Sequence, residues 1–167
     1  MTSRMTRIAC ALVAIAVALG TACTRPVAPA GPVVPATPPE VVTAAKAAVE
    51  TWRAAYETKT LETIAPLYSH DLDLAVIHEG VQQLGWSSVE AMLKDRFVRS
   101  TKIHVRLKDI QVTSVAPDVA TAVATMTREL VEGSSTLVEN GTLSLVFKRT
   151  ATGWLIVLEH YSYRRST

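Results

Sequence analysis

The sequence predicts an α+β fold, in which helices occupy the first half of the domain and a run of antiparallel strands occupies the second. Up to about residue 100, apolar residues recur at three- and four-residue steps, a spacing that is typical of amphipathic helices. From His104 to Tyr163 the apolar period changes to two, and turn residues interrupt it at 117–118, 132–135 and 152–153. This change of period separates a helical part of the domain from a β part.

The first predicted helix begins near Thr37 and runs to about Thr58. Thr37 would cap its N-terminus, and Glu40, three residues later, would complete a capping box. Trp52 and Tyr56 lie on its apolar face, because they follow the three- and four-residue spacing.

Two shorter helices and a pair of strands are predicted next. Thr60 would cap a brief second helix, and Ser87 or Ser88 would cap a third. Between these helices, residues 72–77 and 82–84 are predicted strands that are joined by a turn.

The β part consists of four long strands, predicted at 104–115, 119–131, 137–149 and 154–163. In the first of them the side-chain parity shifts near Lys108-Asp109, which predicts a β-bulge. In the third, Asn140-Gly141 is interpreted as a turn or a bulge.

Residues 1–22 are typical of a secretory signal peptide, with two arginines before the uncharged run 8–19. This run is shorter than the ~20 apolar residues that a transmembrane helix needs. The small residues before Cys23 resemble the end of a bacterial lipoprotein signal, in which the cysteine after the cleavage site is lipid-modified. Lipidation of Cys23 would leave no free thiol in the mature protein, because Cys10 is removed with the leader.

Residues 23–40 comprise the lipid-attachment cysteine and a proline-rich linker, and the domain spans 41–167. The linker favours polyproline II and would hold the domain away from a membrane. Lipid on Cys23 would anchor the protein in the cell envelope, at the outer membrane or on the periplasmic side; without it the protein would be secreted. From Val41 onward 14 Lys/Arg balance 14 Asp/Glu, so no nucleic-acid partner is expected.

Three motifs occur in the order in which a known family has them. They are Trp52-Arg53-Ala54-Ala55-Tyr56 in the first helix, Gly85 with Val89-Glu90-Ala91 at the third helix, and Gly153-Trp154-Leu155-Ile156-Val157 with His160 and Ser162 in the closing strand. Together they resemble the SnoaL-like branch of the nuclear transport factor 2-like superfamily over residues 41–163.

The resemblance implies a cone-shaped, curved antiparallel sheet wrapped around the N-terminal helices, an arrangement also described as a cystatin-like roll. It further implies a pocket for a small apolar ligand, and a homodimer that forms across the open face of the sheet. The closing motif departs from the family pattern at Leu158, where its first histidine is absent. Ketosteroid isomerases and polyketide cyclases of this fold use an interior aspartate as the base, with a tyrosine or a second acid nearby, and no such pair can be assigned in this sequence. The resemblance therefore supports the fold and a cavity, but not a particular reaction.

Three residues are candidate catalytic acids or bases: His78, Glu129 and His160. His78 ends a predicted strand and would titrate near neutral pH, although such a position also fits an exposed turn. Glu129 alternates with threonines, so it is either a buried carboxylate with a raised pKa or part of a solvated face. His160 shares strand parity with Trp154 and Ile156, so it is either a base in the pocket or a hydrogen-bonded core histidine.

The candidate pocket-lining residues are aromatic: Trp52, Tyr56, Tyr68 and Trp86. The first three also have the spacing of core residues on helices. No metal is expected, because the four histidines lack the short spacing of metal ligands, and no cofactor is expected in the absence of a Gly-rich phosphate loop.

Three functions follow from these observations. The favoured one is a binding module for a small apolar ligand in the cell envelope. The alternative is an enzyme of the isomerase, cyclase or dehydratase kind that uses an interior Glu or His as general acid or base. The third is an assembly role, in which formation of the dimer is itself the function.

Overall fold

The computed structural model describes residues 37–166. The predicted signal peptide 1–22, the predicted lipid-attachment residue Cys23 and the linker up to residue 36 lie outside the described residues, and so does Thr167. Within residues 37–166, no helix is long and apolar enough to cross a membrane.

Three helices and a short 3-10 turn precede the long strands, as the apolar periodicity predicts. They are α1 (Pro39–Thr58), α2 (Leu61–Ile64), the 3-10 turn Ala65–Leu67 and α3 (Gly85–Arg99). The helix starts differ from the prediction. The N-cap residue of α1 is Pro38, and Thr37 makes no cap, since its hydroxyl oxygen accepts a hydrogen bond from the Ser114 N–H at 3.0 Å.

The third helix begins at Gly85, ahead of the predicted caps Ser87 and Ser88. Gly85 has a φ of +70°, a conformation that favours glycine, and its N–H donates to the Leu74 carbonyl at 2.8 Å. This bond turns the chain directly from the edge of the sheet into α3.

Six strands form one curved sheet in the order β2-β1-β6-β5-β4-β3. They are β1 (Ala75–His78), β2 (Val81–Leu84), β3 (Lys102–Ala116), β4 (Val119–Glu132), β5 (Ser135–Thr150) and β6 (Gly153–Ser166). Four of the five pairings are antiparallel, and the pairing of β1 with β6 is parallel. The predicted α+β class is confirmed, and the sheet is mixed rather than purely antiparallel.

One face of the sheet is covered by α1 and α3, and the core lies between them. Alternate residues of β4 and β5 point into this core, among them Met126, Leu143 and Phe147. Trp52 and Tyr56 meet them from α1, with ring centroids 5.2 Å apart. Burial of this apolar surface is the main contribution to stability.

The pairings of the long strands shift register at three places: twice in β3, at Lys108/Gln111 and at Ser114/Ala116, and once in β6. The predicted bulge is the one between Lys108 and Gln111, where Asp109 has a φ of +54°. The shift in β6 was not predicted: Ile156 pairs with Phe147 and Leu158 with Val146, so that Val157 is an extra residue. Beyond Val157 the parity of β6 is inverted, and this inversion decides which of its side chains reach the interior.

Candidate functional site

A cleft of about 220 Å³ opens between β1, β2, α3 and the last residues of β6. Its lining combines apolar and charged side chains: Val76, His78, Glu79, Val81, Gln83, Met92, Arg96, Tyr163 and Arg165. Concave sites with a few convergent polar groups are where small molecules usually bind. The cleft is therefore the candidate functional site.

A chain of hydrogen bonds runs from the cleft into the core. The Nε2 of His78 lies 2.7 Å from Oε1 of Glu159, which is fully buried on β6. The other carboxylate oxygen, Oε2, accepts a hydrogen bond from the hydroxyl of Tyr68. Tyr68 in turn accepts a hydrogen bond from the indole N–H of Trp52 at 2.8 Å. Both oxygens of Glu159 are thus satisfied, as a buried carboxylate requires.

The partners of His78 define its tautomer. Its Nδ1 lies 3.3 Å from Nη1 of Arg96, and a guanidinium can only donate, so Nδ1 accepts. The ring proton is then on Nε2, where it is donated to Glu159, and the imidazole is neutral. Burial lowers the pKa of His78 below its ordinary value of 6.5, against the raising effect of the hydrogen bond to Glu159.

The carboxyl of Glu159 remains ionised beside this neutral ring. Burial by itself would raise its pKa, but the hydrogen bonds from His78 and Tyr68 outweigh burial and hold the pKa below the ordinary 4.5. Burial raises the pKa of Tyr68 well above 10, as does the negative charge of Glu159, so the phenol keeps its proton.

A second charged cluster lies on the neighbouring strands β4 and β5. Arg128 is fully buried, and its Nε and Nη2 lie 2.8 and 2.6 Å from Oε2 of Glu139. Arg165 reaches the other oxygen, Oε1, at 2.8 Å. Burial would raise the pKa of Glu139, and the two guanidinium groups hold it below 4.5 instead. The guanidinium of Arg128 also lies over the Tyr161 ring, 4.9 Å from its centroid.

Arg96 connects the two clusters. Its Nη1 contacts His78 and also donates to the hydroxyl of Tyr56 at 2.9 Å. The same Tyr56 oxygen accepts a hydrogen bond from Nη1 of Arg128 at 3.1 Å. The cleft therefore opens onto one continuous polar network that crosses the core.

Of the predicted catalytic residues, only His78 lies in the cleft. Glu129 points to the opposite face of the sheet, where Nη2 of Arg106 pairs with it at 2.6 Å. His160 is exposed on the same outer face, across from Ser144. The interior position considered for Glu129 and His160 is wrong, and for His160 the reason is the extra residue Val157.

The four aromatic residues predicted to line the pocket do not line this cleft. Trp52, Tyr56 and Tyr68 are buried in the core behind it, where their polar atoms belong to the network. Trp86 stacks on the ring of His70, with centroids 4.3 Å apart and planes 9° apart. For Trp52, Tyr56 and Tyr68, the structure supports the interpretation that their helical spacing reflects packing in the core.

Sequence reasoning missed the residues that carry most of the charge: Arg96, Arg128, Glu139, Glu159 and Arg165. Signals for two of them were present. Arg96 has the spacing of the apolar side of the third helix, which includes Val89 and Leu93. In β4, Ala122, Met126 and Leu130 share the parity of Arg128, which places a charged residue on an apolar face. No comparable signal marked Glu159, because its parity depends on the bulge at Val157.

A model of the SnoaL-like domain family matches residues 45–166. The match covers most of the chain. The chain belongs to the SnoaL-like domain family. The matched span of this SnoaL-like domain contains all six strands and every residue of the polar network described above.

Solved structures with the same fold share little sequence with this SnoaL-like domain. An NTF2-like superfamily protein from Salmonella enterica serovar Typhimurium is 20% identical, with a TM-score of 0.69 over 77% of this chain and 94% of that one. A provisionally named dehydratase of the NTF2-like family from Streptomyces avermitilis is 22% identical, with a TM-score of 0.68 over 77% and 99%. A provisionally named aromatic ring hydroxylase from Novosphingobium aromaticivorans is 18% identical, with a TM-score of 0.71 over 77% and 94%. At these identities the likeness establishes the fold. No curated protein matches the chain.

Proposed function

We propose that this SnoaL-like domain is an exported, lipid-anchored binding module that holds a small molecule in the cleft beside His78. The observation that carries the proposal is the cleft itself, which opens onto a buried, ionised network rather than onto a closed apolar core. Groups with shifted pKa values cluster at functional sites more often than elsewhere. Export and anchoring rest on the leader and on Cys23.

The lining of the cleft suits a ligand with two kinds of surface. Val76, Val81 and Met92 offer an apolar wall, whereas His78 and Arg96 offer polar atoms. A compact molecule with an apolar body and one polar group would satisfy both, and the volume of about 220 Å³ limits its size.

Filling the cleft tests the proposal. The full-length protein is purified from membranes in mild detergent and analysed by native mass spectrometry for a retained small molecule. In Met92→Trp the larger side chain occupies the cleft, so we expect the retained mass to be lost. The matched control is Ala91→Trp, which is exposed on the same helix and should keep the molecule. A molecule that remains in Met92→Trp, or no retained molecule in wild type, would argue against this cleft as the binding site.

A second candidate function, catalysis of proton transfer, is favoured by the contact between His78 and Glu159. A neutral imidazole oriented by a carboxylate is a suitable general base, and the carboxylate stabilises the imidazolium that forms. In such a reaction the substrate displaces the contact between Arg96 and Nδ1 of His78, and the freed lone pair of Nδ1 takes a proton from a carbon next to a carbonyl. The ring then returns the proton to another atom of the substrate, as in an isomerase, or gives it to a departing hydroxyl, as in a dehydratase. A dehydratase is also the provisional name of one structural neighbour.

Solvent-deuterium exchange tests this second function. Small ketones and keto acids are incubated with the protein in D₂O, and deuterium incorporation next to the carbonyl is followed by NMR. We expect His78→Gln to lower any exchange by about 10²–10⁴-fold, the usual contribution of a general base. The control His160→Gln replaces a histidine on the outer face and should leave the rate unchanged. Equal rates in wild type and His78→Gln would remove His78 from the mechanism.

A further inference from the structure

Arg96 differs from the other arginines in its environment. Three arginines of residues 37–166 are not exposed: Arg53, Arg96 and Arg128. Arg53 pairs with two glutamates and Arg128 with Glu139. Among the described residues, no carboxylate lies within salt-bridge distance of Arg96, although it is half-buried and lines the cleft.

The hydrogen bonds of Arg96 are all made by one nitrogen. Nη1 contacts the Tyr56 hydroxyl at 2.9 Å and His78 Nδ1 at 3.3 Å. Nε and Nη2 have no hydrogen-bond partner among residues 37–166. These two nitrogens form the edge of a guanidinium that binds a carboxylate through two parallel hydrogen bonds. The edge of Arg96 suited to a planar anion is thus the one left free.

The nearby carboxylates are already engaged, and none pairs directly with Arg96. Burial by itself would lower the pKa of Arg96, whereas the Tyr56 hydroxyl and the more distant charge of Glu139 raise it. Glu139 is shared by Arg128 and Arg165, one on each oxygen. Glu159 is occupied on both oxygens by His78 and Tyr68. Partial burial of a cation with neutral partners costs free energy, and an anion supplied from outside would offset that cost.

We infer that the ligand of the cleft carries a carboxylate, which binds the free Nε–Nη2 edge of Arg96. The inference rests on the proposed binding function and narrows the ligand class from a small molecule to a small organic acid. A singly charged group fits better than a phosphate dianion, because Glu79 lies at the mouth of the cleft, 3.7 Å from Arg165, and Glu159 lies behind His78. The apolar wall of Val76, Val81 and Met92 then contacts the body of the acid.

The test compares two probes of nearly the same shape, one an anionic carboxylate and the other a neutral amide. Binding of 4-fluorobenzoate and of 4-fluorobenzamide to the full-length protein in mild detergent is measured by ¹⁹F NMR, with inorganic phosphate as a competitor. We expect the acid to bind about 10- to 100-fold more tightly than the amide, the range for a charge-assisted pair. In Met92→Trp, where the cleft is filled, both probes should lose binding.

Variants of Arg96 assign the preference to its guanidinium. Arg96→Gln should bind acid and amide equally, and Arg96→Lys, which keeps the charge but lacks the planar edge, should keep only part of the preference. If Arg96→Gln does not fold, the reduced preference for the acid in Arg96→Lys is the result that tests the role of the guanidinium. The matched control is Arg164→Gln, an exposed arginine of β6, which should bind as wild type does.

Several results would overturn the inference. Equal binding of acid and amide by wild type would do so while leaving the cleft as a ligand site. An acid preference that survives in Arg96→Gln would place the anion elsewhere, and phosphate binding more tightly than the acid would exclude the carboxylate class. Binding of neither probe also contradicts the inference, whereas the proposed binding function is judged separately by the molecule retained in native mass spectrometry.

Discussion

At the scale of single residues, each face of the sheet carries an Arg–Glu ion pair, and the two pairs differ in their exposure to solvent. Arg128 and Glu139 pair in the core with no exposed surface, whereas Arg106 and Glu129 pair on the outer face with 50% and 33% of their side chains exposed. The desolvation penalty is large for the inner pair and small for the outer one. Loss of one partner should therefore lower the free energy of unfolding much more for the inner pair than for the outer one.

We therefore predict that Arg128→Met lowers the free energy of unfolding by about 3–5 kcal/mol, because a buried carboxylate loses its main partner. Arg106→Met, the matched change on the outer face, should cost no more than about 1 kcal/mol. Urea denaturation followed by circular dichroism measures both. Similar losses for the two variants would mean that Glu139 is hydrated or is held well enough by Arg165 alone.

The same scale shows what the sequence could reveal about the site. His78 was identified because a histidine at a strand end is an unusual and chemically useful residue. Glu159 was missed, because counting alternate residues back from His160 places it on the outer face unless the extra residue Val157 is known. Because of this one bulge, β6 directs Glu159 into the interior instead of the expected residue, His160.

At the scale of elements, the order and type of every long segment were predictable from periodicity. The four long strands differ from their predicted bounds by a few residues at most. Local signals were less reliable where tertiary contacts compete with them. Thr37 bonds to β3 instead of capping α1, and Asn140-Gly141 lies within β5 rather than in a turn.

Gly141 is needed for a close approach between strands. A Cβ at this position would lie 1.9 Å from the Ser162 carbonyl oxygen and 2.6 Å from Cα of Tyr163, both backbone atoms of β6. We predict that Gly141→Ala lowers the free energy of unfolding by about 1–3 kcal/mol, since β5 and β6 must separate locally. Thr142→Ala, an exposed neighbour, should change it by less than about 0.5 kcal/mol. Thermal or urea unfolding distinguishes the two, and an unchanged midpoint for Gly141→Ala would contradict the close approach.

At the scale of the whole molecule, the SnoaL-like family and its fold are established, whereas location and assembly stay predictions. The family match begins at residue 45, and the predicted anchor at Cys23 precedes it. The outer face of the sheet, which includes His160 and Val123, is the surface across which we predict that two copies pair.

Replacement of Cys23 tests the predicted lipid anchor. We expect wild-type protein in the membrane fraction, with a mass increment on Cys23, and we expect Cys23→Ser to appear in the soluble envelope fraction without it. Cys10→Ser is the matched control, because Cys10 lies in the predicted leader and is expected to be removed with it on cleavage. Membrane association of Cys23→Ser would show that another segment holds the protein there.

The parallel pairing of β1 with β6 also has a consequence for the order of folding. His78 and Glu159 are 81 residues apart in the chain, and the register that brings them together joins the first strand to the last. Closing so long a loop costs chain entropy that only the completed sheet can offset. Of the six strands within residues 37–166, β6 is the last to be synthesised, so Glu159 becomes available to His78 later than Arg96 does. A nascent chain therefore begins to form an apolar core before the His78–Glu159 contact beside the cleft can be made.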